Sequence, residues 1–549
     1  MNVFSGSIAH FAEIPGLIDN ICLVLPLFLQ GSSKANFVFR VVYEGAEPIA
    51  DARVILFFAP AASPEPRFEA FDLETPRPLF AKDVLGVRPG DVIEFDSTAF
   101  STPEALGFVP QNLDSFSSEL FVQALIHHGT HSPNTRQELQ QQFTGVLNVS
   151  FSIACWNVDV NDPDANSRVG NTYSKPVQVL FDASDADNVV KIVADQWVEH
   201  ISMKSELLSE YHKQDVYMMA SIVLPKDYQV LKTAHQFPIV YYIEGFTGTE
   251  SYATRAKYFL ASEMGQEWQA GRWPTPMLRV TLGSRFKFGH TSFADTEANG
   301  PWGTALVSEF IPYLESKYSA VSKPSGRFLH GHSSGAWSTL WLQLQFPDFF
   351  GGTWSSAPDP VDFSRFQVVD IYEAENAYWD PNGHPYPTSR SSGLVTCSNR
   401  DENLVERVYG RGNGGQWDAF FALFSPRDGN GMPIPLFDKV SGAIDRDVAV
   451  YWERYDICKF LSQRPELLTT KLLGKVHVIC GDEDTYYLDG ACRSLQKLVG
   501  DGKASTDDGA AVPNYVAMVP GDHTTIRSRA HYLQVYAEIA AAYVQNSQK

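Results

Sequence analysis

Residues 327–342 read RFLHGHSSGAWSTLWL, an apolar strand-like segment followed by a helix-like one. The turn between them, Gly331-His332-Ser333-Ser334-Gly335, matches the pattern G-x-S-x-G. In this pattern a serine stands on a strained strand-to-helix turn, and small residues two positions away on each side let the helix approach the strand. The match is informative because a strand precedes it and a helix follows it. We therefore predict that Ser333 is a nucleophile at the carboxyl edge of a sheet.

Two further turns near the C-terminus supply partners for this serine. One predicted strand ends in the acidic turn GDED, which contains Asp482 and Asp484, and the last predicted strand ends in PGDHTT, which contains His523. A serine hydroxyl needs a neighbouring base to remove its proton, and that base needs an acid to orient it. We predict His523 as the general base and Asp484 as the acid. Asp482 is the alternative acid, since it comes directly after the strand.

A reaction at an acyl carbon also needs donors for the oxyanion that develops on the carbonyl. The N–H of Ser334, at the start of the predicted helix that follows Ser333, is predicted to be one donor. The second is expected from the loop after the strand 239–243, where Phe246 is our choice and Thr247 the alternative.

The rest of the C-terminal part alternates strand and helix periods, which is typical of an α/β sheet. By contrast, the first ~180 residues show short β-rich runs separated by turn-forming clusters, which favours an all-β sandwich. The sequence thus predicts two domains, residues 1–190 and residues 200–549.

In addition to the G-x-S-x-G turn, three stretches of the chain resemble one family, and the resemblance extends over residues 200–545. They are FPIVYYIEGF at 237–246, ADTEANGPWG at 294–303 and FPDFFGGTWSSAP at 346–358. These are similar to segments of the putative-esterase branch of the α/β hydrolases, which includes esterase D-like enzymes, enterochelin esterases, feruloyl esterases and mycolyltransferases. The resemblance implies an α/β-hydrolase fold, with a mostly parallel sheet flanked by helices, and ester hydrolysis without a metal or an organic cofactor. Some members carry an N-terminal β-sandwich that contributes to substrate binding, and many have His-Gly where this chain has Glu244-Gly245.

Asp484 follows Ser333 by 151 positions, a distance far longer than one strand-helix crossover. Its surplus, about residues 360–470, is rich in aromatic residues, Gly and Pro, and we predict that it forms a cap-like insertion that shapes the pocket. Removing it should then change substrate preference. Asp295, Trp302 and Trp417 are the candidate substrate-binding residues.

Composition narrows the possible partners. The 549 residues carry a formal net charge of −21, which disfavours nucleic acid and anionic membranes and points toward neutral esters. No apolar run approaches the ~20 residues of a membrane span. Residues 1–20 contain no Lys or Arg, so we expect no secretory signal peptide and, by default, a cytoplasmic location.

The six cysteines show no zinc spacing and are interpreted as buried thiols, although a single disulfide stays open.

Three weaker motifs are interpreted as structural, and no metal site is predicted. Residues 410–415 fit G-x-G-x-x-G but lack the surrounding βαβ unit of a dinucleotide site. The histidines at 127, 128 and 131 fit a turn better than a metal cluster, and residues 162–173 lack the glycine and the glutamate of a calcium loop.

The sequence therefore predicts a serine esterase acting on a small-molecule or carbohydrate-linked ester. An acyltransferase with the same triad, or a catalytically silent hydrolase-fold binding protein, are the alternatives. The oligomeric state is left open.

Overall fold

The computed structural model describes residues 197–246, 252–273, 275–410, 415–501 and 512–547, together with strands and adjoining residues between 21 and 179. Its contacts divide the chain into two compact units, one drawn from within residues 1–182 and the other containing residues 183–549.

The described part of the N-terminal unit consists of strands in two antiparallel sheets. The strands are β1 (Ile21–Val24), β2 (Val38–Tyr43), β3 (Ile49–Ala59), β4 (Leu79–Val87), β5 (Val92–Asp96), β6 (Ser101–Thr102), β7 (Ala105–Phe108), β8 (Glu119–His128), β9 (Asn148–Ser152) and β10 (Val177–Val179). One sheet has the order β1-β2-β5 and the other β10-β9-β8-β3-β4-β7-β6. The packing of the two sheets as a sandwich stays a prediction.

The C-terminal unit is built on one mixed sheet of eight strands. They are β11 (Val198–Lys204), β12 (Tyr217–Val223), β13 (Ile239–Ile243), β14 (Leu278–Leu282), β19 (Arg327–His332), β20 (Gly352–Ser356), β23 (Val476–Gly481) and β24 (Tyr515–Val519). Their order is β11-β12-β14-β13-β19-β20-β23-β24, and every pair from β14 onward is parallel. Three short hairpins complete the strands: β15 (Arg285–Phe286) with β16 (Gly289–His290), β17 (Asp295–Thr296) with β18 (Gly300–Pro301), and β21 (Pro387–Ser391) with β22 (Leu394–Ser398).

The helices are α1 (Glu206–His212), α2 (Tyr228–Leu231), α3 (Tyr252–Ala261), α4 (Glu263–Ala270), α5 (Trp302–Ala305), α6 (Ile311–Lys317), α7 (Ser334–Gln345), α8 (Asn399–Gly410), α9 (Gln416–Phe424), α10 (Arg446–Trp452), α11 (Ile457–Ser462), α12 (Glu466–Thr469), α13 (Asp489–Val499) and α14 (Arg529–Ser547). A π-helical turn, Leu306–Phe310, joins α5 to α6. Among the described residues, no helix is long and apolar enough to cross a membrane.

Both faces of the central sheet are covered, as a parallel sheet requires. Side chains alternate along a strand. Ile239, Tyr241 and Ile243 of β13 accordingly enter one hydrophobic core with α5 and α6, whereas Val240 enters another core with α3, α4 and α14. This mostly parallel sheet with flanking helices confirms the predicted α/β-hydrolase fold for the C-terminal unit.

The predicted insertion packs as part of the C-terminal unit. Phe363 and Trp452 of the insertion contact Phe424 of α9, with ring centroids 5.0 Å apart in both pairs. Phe424 in turn lies against Trp337 of α7, the helix that follows Ser333, with ring centroids 5.2 Å apart. Aromatic side chains from residues 360–470 and from α7 therefore share one core.

Several strands were not predicted from the sequence, among them β4, β11 and β20. β4 contains Lys, Asp and Gly, which are rare in strands, and β11 is an edge strand whose sequence VEHISMK mixes apolar and charged residues. β20 reads GTWSS, which has low intrinsic strand preference and is a strand because it pairs with β19 and β23.

Candidate active site

Ser333 lies on the sharp turn between β19 and α7. Its backbone has φ 57°, a left-handed value that a residue with a side chain adopts at a cost of about 1–3 kcal/mol. The flanking glycines are sterically required: a Cβ on Gly335 would lie 2.0 Å from the carbonyl oxygen of Ile243, and one on Gly331 would lie 2.2 Å from that of Gly335. This is the geometry predicted from the G-x-S-x-G pattern.

His523 and Asp484 meet at the ends of β24 and β23. The Nδ1 of His523 and the Oδ2 of Asp484 are 2.8 Å apart, and both side chains are buried. Asp484 also accepts a hydrogen bond from the backbone N–H of Tyr486 at 2.9 Å. With Nδ1 bonded to this carboxylate, Nε2 of His523 is the nitrogen available for proton transfer.

Asp482, the alternative acid, has a different place. Its Oδ1 accepts the N–H of Gly521 at 3.1 Å, which ties the turn after β23 to the turn after β24. The carboxylate bonded to His523 is therefore that of Asp484.

The predicted oxyanion donors lie next to Ser333. Ser334 is the first residue of α7, so the helix supplies no acceptor for its N–H. On the other side, a Cβ on Gly245 would be 3.0 Å from the Cβ of Ser333, and Phe246 lines the same cavity as Ser333. Thr247, the alternative donor, lies outside the described residues.

Glu244, where the resemblance to the esterase family leads us to expect histidine, lies among arginines. Burial would raise the pKa of its carboxyl, but Arg255 and Arg527, together with the N–H of Gly245, outweigh burial and hold the pKa below its ordinary value. The carbonyl oxygen of Glu244 accepts Nε2–H of His290 at 2.9 Å. Burial lowers the pKa of His290 to about 4, so this imidazole is neutral and its tautomer is set by that bond.

Asp359 is a second carboxylate, and it lies beside Ser333. Its Oδ2 accepts the hydroxyl of Ser334 at 2.5 Å, and its Oδ1 lies 3.4 Å from Oγ of Ser333. Among the described residues, the hydrogen bond of the Ser333 hydroxyl goes to Asp359 rather than to His523. Burial raises the pKa of Asp359 to about 6, and the bond from Ser334 and the nearby His523 offset only part of that rise.

Ser333, Asp359 and His523 line a common cavity of about 210 Å³. One wall comes from the insertion and contains Gln367, Glu402, Gln416, Trp417 and Phe420. Gln416 reaches the nucleophile turn, since its Nε2 lies 3.3 Å from Oγ of Ser334.

Two of the three predicted substrate-binding residues do not line this cavity. Trp302 is 1% exposed and packs against Phe286 and Phe293 in the core, because the large apolar side chain begins an amphipathic helix. The carboxylate of Asp295 accepts the N–H of Thr304 at 2.9 Å and so caps that same helix. Trp417 alone of the three lines the cavity.

Sequence reasoning missed several residues of this cavity. Asp359 comes directly after the stretch 346–358 that resembles the family, and Arg527 follows His523 by four residues. Both lie just beyond sheet strands, which is the signal that could have identified them.

No group of His, Cys, Asp and Glu suited to a metal ion occurs among the described residues. The weak motifs at 162–173 and most of 410–415 lie outside them, as does His131. The cysteines at 397, 458, 480 and 492 are buried free thiols.

Residues 213–409 match a family model described as putative esterase. No curated protein matches the chain. Among solved structures, the chain is similar to a ferulic acid esterase at 15% identity, with 63% of this chain and 98% of that one covered and a TM-score of 0.39. It is also similar to an S-formylglutathione hydrolase from Agrobacterium tumefaciens (13% identity, 63% and 93% covered, TM-score 0.33) and to a ferulic acid esterase from Anaeromyces mucronatus (14% identity, 65% and 98% covered, TM-score 0.30).

The family match includes the loop with Gly245 and Phe246 and the whole G-x-S-x-G turn, and it supports ester hydrolysis as the class of reaction. Residues 213–409, which contain Ser333, are thus similar to the putative-esterase family that the sequence predicted.

Proposed function

We propose that this protein is a serine esterase that hydrolyses a carboxylic ester through an acyl-enzyme intermediate. The observation that carries the proposal is the buried pair of His523 and Asp484, 2.8 Å apart, on the same cavity as a serine held at a strained turn. This pairing is the arrangement that activates a serine hydroxyl.

In the proposed acylation step, the hydroxyl of Ser333 turns from Asp359 to Nε2 of His523. The oxygen attacks the ester carbonyl while His523 takes the proton, and the N–H groups of Ser334 and Phe246 hold the oxyanion. The tetrahedral intermediate collapses, His523 gives its proton to the departing alcohol, and the acyl group stays on Ser333.

Deacylation repeats the same chemistry with water as nucleophile. His523 removes a proton from the water, the hydroxide attacks the acyl carbon, and the released Ser333 oxygen recovers the proton. Asp484 keeps Nδ1 of His523 protonated in both steps and stabilises the transient imidazolium.

The cavity also supports a substrate with hydroxyl groups near the ester. Amide and carboxyl groups of Gln367, Gln416 and Glu402 stand beside the rings of Trp417 and Phe420. Amides and carboxylates bond hydroxyl groups, and the flat aromatic side chains accommodate an apolar acyl group or a sugar face. A carbohydrate-linked ester fits this combination.

The test is labelling by a fluorophosphonate probe, followed by hydrolysis of p-nitrophenyl acetate and of a panel of aryl, feruloyl and acetylated sugar esters. We expect labelling and turnover in the native protein and neither in Ser333→Ala. Folded native protein that resists the probe would refute the proposal and favour a silent scaffold. Adding an alcohol acceptor during turnover then measures whether water or the alcohol takes the acyl group.

A further inference from the structure

A second cavity, of about 300 Å³, lies behind the oxyanion loop. It shares Glu244, Arg255 and Arg527 with the catalytic cavity, so these three side chains form a common wall. Arg279 and Arg529 also line it. Four arginines thus surround a space in a protein whose net charge is −21.

The carboxylates that line this cavity form ion pairs with three of these arginines. Glu244 lies between Arg255, at 3.6 Å, and Arg527, at 3.9 Å. At the rim, Glu263 lies 3.4 Å from Arg529.

Arg279 is the exception. It is 3% exposed, and among the described residues no carboxylate lies within 4 Å of its guanidinium. Its Nε donates to the hydroxyl of Tyr536 at 3.1 Å and its Nη1 to Oγ1 of Thr281 at 2.8 Å. The rings of Tyr242 and Phe259 flank it at 4.1 and 4.3 Å. Buried charges are normally paired, and neutral hydroxyls and ring faces compensate a guanidinium only in part.

The polar groups beside Arg279 suit an oxyanion. Guanidinium groups present a planar fork of donors that matches carboxylate and phosphate. Arg527 extends this set, since its Nη2 lies 3.2 Å from the hydroxyl of Tyr532 on the same cavity. The aromatic lining from Tyr258 and Phe259 leaves room for a small organic body.

We propose that this cavity binds a small oxyanion, a carboxylate or a phosphate, through Arg279 and its neighbouring arginines. The anion is either a free ligand or the charged end of the ester substrate. In both cases it competes with Glu244 for Arg255 and Arg527.

Such competition would reach the catalytic centre through a short path. Oε1 of Glu244 accepts the N–H of Gly245 at 3.4 Å, and Gly245 packs against Ser333. Drawing the arginines toward an anion therefore alters the contacts of the loop that carries Phe246. This coupling rests on the proposed esterase function, whereas binding of the anion does not.

Binding is tested with inorganic phosphate and with citrate, measured by calorimetry and by the thermal unfolding temperature against sodium chloride at equal ionic strength. We expect saturable binding to the native protein and at least tenfold weaker binding in Arg279→Gln and Arg529→Gln. Arg272→Gln is the matched control, because this exposed arginine shares Glu267 with Arg529 but does not line the cavity. If Arg279→Gln does not fold, Arg529→Gln decides. Absent binding, or equal binding by all variants, would overturn the proposal.

The source of the anion is tested with a matched pair of substrates, p-nitrophenyl pentanoate and the mono-p-nitrophenyl ester of glutaric acid. A free ligand would change kcat for the neutral ester when phosphate is added. A charged substrate would instead show at least tenfold higher kcat/KM than the neutral one, with phosphate as a competitor, and Arg529→Gln would remove that preference.

Bound phosphate with neither effect would overturn the coupling. Bound phosphate with no turnover of either ester, and no probe labelling, would refute the esterase function and leave the anion site standing.

Discussion

Replacing Asp359 by asparagine should stabilise the protein at neutral and alkaline pH. The carboxyl group is 5% exposed, and its pKa rises from 3.8 to about 6 in the folded state, chiefly because burial disfavours the charged form. Between pH 4 and pH 6 the folded protein therefore binds more protons at this site than the unfolded chain does. Stability of the native protein falls as the pH rises through that window, and the loss is complete above it.

The size of the effect follows from the shift. A displacement of about two pKa units corresponds to about 3 kcal/mol at ~1.4 kcal/mol per unit. Asparagine has the same shape without the charge, but it weakens the bond from Ser334, which is worth about 1 kcal/mol. We expect Asp359→Asn to be more stable than the native protein by about 2 kcal/mol at pH 8, and the gain to disappear near pH 4.

The assay is differential scanning calorimetry of both proteins at pH 4.5 and pH 8, following the transition of the hydrolase domain. For a domain of about 350 residues, a gain of this size raises the unfolding temperature by about 3 °C at pH 8. Asp348→Asn is the control, because that exposed carboxylate is paired with Lys471 and its pKa is lowered. No gain at pH 8, or the same gain at both pH values, would refute the reasoning. A confirmed gain would show that a stability cost is maintained beside the nucleophile, which is common at functional sites.

Three further substitutions test the candidate site. Ser333→Ala should lower kcat by about 10⁴-fold or more while leaving the unfolding temperature nearly unchanged, and equal turnover by the variant would exclude Ser333 as nucleophile. Asp484→Asn should lower kcat by about 10⁴-fold, because an amide favours the wrong tautomer of the paired imidazole, whereas Asp482→Asn keeps its acceptor for a backbone N–H and should stay within about threefold of the native rate. Gly335→Ala should abolish soluble expression or lower the unfolding temperature sharply, since its Cβ would lie 2.0 Å from a carbonyl oxygen, and a stable, active variant would contradict the described turn.

The parts of the fold that local sequence determines were predicted well. The β-branched strand β13 and the last sheet strand β24 have the predicted bounds, and Gly331 and Gly335 pointed to the turn because no other residue fits there. Local signals did not reveal β20, whose residues form a strand through pairing on both sides.

The candidate site was predicted as far as chain order allows. Ser333, Asp484 and His523 follow strands, so their meeting at one sheet edge could be foreseen. Asp359 could not, because its nearness to Ser333 depends on the pairing of β19 with an unpredicted neighbour. The burial of Trp302 could not be predicted either, because a core tryptophan and a substrate-binding one look the same in sequence.

The shared aromatic core between α7 and residues 360–470 changes what protein engineering can achieve here. Trp337 and Trp341 stack on each other and lie against Phe424 and Tyr455 of the insertion. Deleting the insertion would remove the apolar cover of α7, so the shortened chain should aggregate instead of accepting larger esters. Changes of specificity in this enzyme are therefore expected to come from single substitutions on the cavity wall, and not from exchange of the whole cap.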